Sequence, residues 1–139
     1  MRTSLRLEFN DGCFTAVSFP DDITEDLPLT HLEGNQHRVE FSSLLADPRV
    51  FWGDVIEINP TGDKSADFVR VVKLSGFRVY CRIIRPETIE SPLFQGFLET
   101  IMQLGGNWER AFGGVLMVHL PADTEFDLER ELQTLTRVP

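Results

Sequence analysis

Cysteine is scarce in this chain: Cys13 and Cys81 are the two present, and neither has a second cysteine or a histidine at metal-ligand spacing. That excludes a disulfide framework and a zinc-knuckle arrangement, and both residues are expected to be small buried apolar groups in a reducing compartment. Long hydrophobic runs are also missing. Nothing approaches the roughly 20 apolar residues that cross a bilayer, and Met1 to Phe9 alternates charged with apolar groups where a secretory signal would hold a continuous apolar stretch. The expectation is a cytoplasmic protein without membrane attachment. Positive charge is in deficit, with 13 basic residues against 22 acidic ones and a net charge of −9. A field of that sign repels phosphate backbones, so bulk nucleic-acid binding is excluded unless the arginines cluster.

What remains is globular in composition. Of the 139 residues, 42% are hydrophobic and 25% charged, enough for one domain or two small subdomains sharing a core. Residues 1–75 read as strands and turns. Leu5, Leu7 and Phe9 alternate with Arg6 and Glu8, Asn10-Asp11-Gly12 has hairpin-turn chemistry, and the alternation resumes from Cys13 to Phe19. A linker rich in Asp, Glu and Pro is expected from Pro20 to Pro28. Leu29–Leu32 and His37–Phe41 form a second hairpin around Gly34-Asn35. Val50–Ile58 and Asp67–Leu74 form a third, joined by a loop from Asn59 to Ser65. Six short strands in this space predict a small curved sheet or partial barrel.

From Gly76 the pattern changes. Phe77–Ile84 reads as a strand with Arg78, Tyr80 and Arg82 on one face and Val79, Cys81 and Ile83 on the other. Ser91-Pro92 is an N-cap and first-turn pair. It opens a helix whose apolar residues Phe94, Phe97, Leu98, Ile101 and Met102 recur at helical spacing before Gly105-Gly106 stops it. Trp108–Phe112 and Val115–Leu120 make a hairpin at Gly113-Gly114. A final helix capped by Asp123 or Thr124 carries Leu128, Leu132 and Leu135. This β-α-β-β-α order matches five of the six elements of a ferredoxin-like unit. The fold class is therefore α+β, a β-rich half (1–75) packed on a ferredoxin-like half (76–139) as one cooperative unit.

Catalytic signatures are missing. The chain has no HExxH, no EF-hand spacing, no Gly-x-Ser-x-Gly elbow and no phosphate-binding glycine loop. The acidic cluster Asp21, Asp22, Glu25 and Asp26 reads as a solvated loop. His31 and His37 flank the Gly34-Asn35 turn; a two-residue turn would pair Leu32 with His37, put the two imidazoles on opposite faces and prevent them from sharing a metal. His119 reads as a hydrogen-bonded or surface histidine within an apolar strand. No metal site, cofactor or catalytic residue is assigned. The suggestive feature is basic: 11 of the 13 basic residues are arginine, and Arg78, Tyr80, Arg82 and Arg85 gather on or beside one strand. Guanidiniums around a phenol suit a carboxylate or phosphate through bidentate contacts, or else the protein's own surplus acids. Gly53 would let the chain bend beside Trp52, with Asp54 accepting main-chain amides there, a structural role with a functional one as the alternative.

Trp52-Gly53-Asp54-Val55-Ile56, Ser75-Gly76-Phe77-Arg78 and the apolar strand Val115–Leu120 ending in Pro121 together resemble an uncharacterised family of small bacterial proteins, over about residues 27–137. The resemblance implies a bacterial, cytosolic domain with no activity or cofactor to carry over. Where that family often has an aromatic Pro-Phe-Phe segment, this chain has Leu44-Leu45-Ala46-Asp47-Pro48. The reading is a non-enzymatic interaction or regulatory module that binds a protein partner or small anionic ligand, with Arg78, Tyr80, Arg82, Arg85, Asp54 and Trp52 as candidate contacts. A homodimer stays open. The alternatives are a small enzyme using Asp54, His119 or Cys81 in a cleft between the halves, and an acidic immunity-type protein neutralising a basic toxin.

Overall fold

The structure, a computed structural model, describes residues 14–136. The hairpin expected around Asn10-Asp11-Gly12, and Cys13 with it, lie outside that range. The protein is α+β with a β-rich first half, and its chain divides into two compact units at Ser75/Gly76, where the sequence pattern also changes.

The first unit is a closed five-stranded barrel: β1 (Phe14–Ser18), β2 (Thr24–Glu33), β3 (Gln36–Val39), β4 (Val55–Gly62) and β5 (Ser65–Lys73). Neighbours are antiparallel except at the seam, where β1 runs parallel to β5 through Ala16, Val17 and Ser18. Alternation sends Val17, Leu27, Val39, Ile56, Ile58 and Ala66 into the interior, with Leu29, Phe68 and Val71 packed around them.

Two expectations are corrected in this unit. The acidic "linker" is strand: β2 begins at Thr24, and Thr24–Pro28 pairs with Phe14–Ser18. Its acids did not prevent this, because Leu27 and Pro28 are buried while Thr24 and Asp26 face outward. The loop expected over 59–65 is also mostly strand, since Asn59, Pro60 and Gly62 pair with Asp67, Ala66 and Ser65 across an irregular ladder. Conversely, Val50–Gly53 is not strand. The chain turns at Trp52-Gly53, where Gly53 has φ +89° and a Cβ would stand 3.0 Å from the Ser75 Cβ.

The second unit is a three-stranded antiparallel sheet in the order β6 (Arg78–Ile83), β8 (Val115–Leu120), β7 (Asn107–Ala111). Its helices are α1 (Pro86–Ile89), α2 (Pro92–Gln103) and α3 (Leu128–Thr136). Ser91 caps α2 as expected, its hydroxyl accepting the Phe94 amide. Phe94, Phe97, Leu98 and Ile101 of α2, with Leu128 and Leu132 of α3, pack on Trp108, Leu116, Val118 and Leu120 of the sheet. The cap of α3 is Asp127, whose carboxylate accepts the Arg130 amide at 3.1 Å, instead of Asp123 or Thr124. After α2 the chain must pass tightly under β8. A Cβ on Gly106 would lie 2.3 Å from the His119 carbonyl oxygen, so no other residue fits there unaltered.

Candidate functional site

The arginine-bearing strand builds the site. Because β6 alternates, Arg78, Tyr80 and Arg82 share the face on which the helices lie, and Tyr80 packs against the unit's core. The two guanidinium carbons each stand 6.0 Å from the Tyr80 ring centroid, one on either side along the strand. Arg78 is half-buried and tied down, donating to the Thr124 carbonyl at 2.7 Å and to the Tyr80 hydroxyl at 3.2 Å. Arg82 is more open. It donates to the Cys81 carbonyl at 2.9 Å and forms an ion pair with Glu129 of α3. Arg85, just past the strand, meets Glu87 at 3.3 Å.

Arg82 and Arg85 line one groove of about 280 Å³, with Ile84 and Leu132 as its apolar lining and Thr88, Glu129 and Gln133 as polar partners. The groove lies wholly within the second unit, between the end of β6, α1 and α3. Arg82 and Arg85 keep 42% and 75% of their side-chain surface exposed, and their carboxylate partners Glu129 and Glu87 keep 50% and 72%. Ion pairs this exposed hold together weakly, so either guanidinium can exchange its internal carboxylate for an external one. Of the six candidate residues, then, the structure gathers Arg78, Tyr80 and Arg82 into one stack, and Arg82 with Arg85 into one groove.

Asp54 and Trp52 belong to the first unit and do local work there. Asp54 is 2% exposed. One of its carboxylate oxygens accepts the Phe51 amide at 2.9 Å and the other the Ser75 amide at 2.8 Å, the main-chain role expected of it. The half-buried Trp52 donates its backbone N–H to the Ser42 hydroxyl at 2.8 Å.

Two further expectations change, those for Cys81 and for the acidic cluster, while His119 is hydrogen-bonded, in line with one of its two readings. Cys81 is exposed, because it points away from the helices on an edge strand whose next residue on that face, Ile83, is also open to water. His119 is fully buried and lies 2.5 Å from an equally buried carboxylate, Glu109. The hairpin pairs Glu109 with Met117 and Asn107 with His119, so Glu109 and His119 are diagonal neighbours on one face; the expected Gly113-Gly114 turn would have put them on opposite faces, and it is the turn's actual start at Phe112 that brings them together. The acidic cluster is not simply solvated either, since Glu25 and Asp21 bind the backbone of residues 44–47.

The barrel hairpin also departs from the expected register. A register shift between His31 and Glu33 puts His31 directly opposite His37, on one face, with ring centroids 5.1 Å apart. Partial burial lowers the His37 pKa below the ordinary histidine value; the hydrogen bond to the Asn35 carbonyl opposes this, and the His31 charge adds to the lowering.

Among the described residues there is no group of three or more His, Cys, Asp or Glu side chains that could hold a metal, and no helix long and apolar enough to cross a membrane. No family model matches the chain, and no curated protein matches it. A similar fold occurs in the crystal structure of a hypothetical protein from Neisseria gonorrhoeae, at a TM-score of 0.57 and 16% identity, covering 87% of this chain and 84% of that one. At that identity the likeness describes the fold alone.

Proposed function

We propose that the second unit is a non-enzymatic binding module whose groove between β6, α1 and α3 takes a carboxylate or phosphate group, carried by a small ligand or by an acidic segment of a protein partner. The observation that carries this reading is the presence of Arg82 and Arg85 in a single concave site, both solvent-accessible and both held by exchangeable surface carboxylates. Tyr80 and Arg78 stand behind them as a rigid backing that fixes the strand end. Ile84 and Leu132 supply apolar contact for the remainder of the ligand. In this reading the unit is a ferredoxin-like β-α-β-β-α arrangement, and the chain is a small bacterial cytoplasmic protein of the kind its motifs resemble.

The enzymatic alternative needs two of Asp54, His119 and Cys81 to act on one substrate. It is disfavoured because both Asp54 oxygens already accept backbone amides and the His119 imidazole is sealed from solvent. Titration of the ¹⁵N-labelled protein with citrate and with inorganic phosphate, to about 10 mM, tests the binding reading. The expected result is saturable shifts of Arg82, Arg85, Thr88 and Gln133 that vanish in an Arg82→Gln, Arg85→Gln double variant. Shifts that survive in the variant, or none in the parent, would overturn it.

A further inference from the structure

The rim of the barrel carries a second arrangement, independent of the groove. His31 and His37 are an exact cross-strand pair. Both sit at the parity of interior residues, His31 two positions after Leu29 on β2 and His37 two before Val39 on β3, while Ile56 of the core lies opposite His37 on β4. The pair therefore continues the barrel's inward-facing rows to its open end beside the Gly34-Asn35 turn.

The ring nitrogens are already assigned by their neighbours. His31 Nε2 lies 2.9 Å from the Gly34 carbonyl oxygen and His37 Nδ1 lies 3.3 Å from the Asn35 carbonyl oxygen. A carbonyl only accepts, so each of these nitrogens must carry the proton and donate it. In a neutral imidazole the other nitrogen, Nδ1 of His31 and Nε2 of His37, then keeps its lone pair. A histidine that ligates a metal through one nitrogen while donating from the other to a backbone carbonyl has the second-shell arrangement that orients metal-binding imidazoles. Two cis ligand nitrogens at roughly 2.0–2.1 Å from an ion stand about 3 Å apart, a separation within reach of rings whose centroids are 5.1 Å apart. The environment favours a cation too: residues 1–75 hold 13 acids against 7 bases.

We propose that His31 and His37 form a two-histidine site for a divalent late transition ion at the barrel rim, with water completing the coordination shell. Imidazole nitrogen selects Zn²⁺, Ni²⁺ or Cu²⁺ over the hard ions Mg²⁺ and Ca²⁺, which take oxygen ligands. The site differs from a structural zinc centre, with four protein ligands, and from a catalytic one, with three, in offering two.

The test is calorimetric titration of the full chain with ZnCl₂ and with NiCl₂, alongside NMR of the histidine ring signals. One ion per chain is expected, bound in the micromolar range, with the His31 and His37 ring signals shifted by Zn²⁺ and broadened by Ni²⁺. The buried His119 signal is the internal control and stays in place. His31→Gln, at an exposed position where folding is spared, and His37→Gln should each weaken binding roughly tenfold or more, and excess MgCl₂ should not compete. Equal affinity in the parent and in His31→Gln would overturn the pair, whether the ion then sits on His37 alone or elsewhere. Displacement by Mg²⁺, or no binding at all, would overturn it as well.

Discussion

The side chain of Glu25 accepts three successive backbone amides, from Leu44 at 2.9 Å, Leu45 at 3.1 Å and Ala46 at 2.8 Å, and Asp21 accepts the next, from Asp47, at 3.0 Å. One carboxylate thus fixes an irregular segment 20 residues away in sequence, which has no ladder of its own to satisfy its N–H groups. Charge-assisted bonds of this kind are stronger than neutral ones, and the amides they leave behind are partly shielded from water. Glu25→Ala should cost about 1–3 kcal/mol in chemical denaturation, whereas Asp26→Ala, exposed on the same strand, should stay within about 0.5 kcal/mol. If the two variants unfold at the same denaturant concentration, Glu25 is not the clasp. This role was invisible in the sequence, because Asp and Glu in a Pro-flanked run signal solvation until the amides that face them are known. Asp54 was legible for the opposite reason: it sits at a glycine turn that the sequence itself marks, where the Phe51 amide donates to it.

Elements with regular periods were legible, and the misreadings fell where composition masked a strand, as in the acidic start of β2, or where a turn sets the register. Helix α2 follows from Ser91-Pro92 and the spacing of Phe94, Phe97, Leu98 and Ile101, each an autonomous local signal. The β2–β3 hairpin shows the failure, because a one-residue irregularity after His31 moves the pairing of every residue before it, and turn composition does not announce a bulge. The β7–β8 turn is shifted similarly. Phe112, read as the end of a strand, lies in the turn with φ +52° ahead of Gly113 at +78°, and the residue is 79% exposed. A bulky side chain in the left-handed region costs energy that the exposed ring does not recover by burial, and asparagine tolerates that region better. Phe112→Asn should therefore raise stability by about 0.5–1 kcal/mol, read as a higher denaturation midpoint with an unchanged denaturant slope. An unchanged or lowered midpoint would mean that the ring contributes packing its exposure does not reveal.

Across the whole molecule, a net charge of −9 means that cations are outnumbered and acquire internal carboxylate partners: Arg38 pairs with Glu40, Arg70 with Glu57, Arg82 with Glu129 and Arg110 with Glu90. The clustering of Arg78, Arg82 and Arg85 could be read from the sequence, but their partners could not, since Glu129 is 47 positions from Arg82 and reaches it only through the packing of α3 on the sheet. The same packing makes the groove. It also makes Glu129 a competitor, because any anion that binds Arg82 must first displace that carboxylate. Removing the competitor frees the guanidinium and takes one negative charge from a field that repels the ligand, so both effects act in the same direction. An exposed pair of this kind contributes up to about 1 kcal/mol, and Glu129→Gln should therefore tighten citrate or phosphate binding about two- to fivefold. The gain should be largest at low ionic strength and shrink as salt screens both effects. A salt-independent gain would point to a reshaped groove instead, and weaker binding would show that Glu129 positions Arg82 for the ligand rather than competing with it.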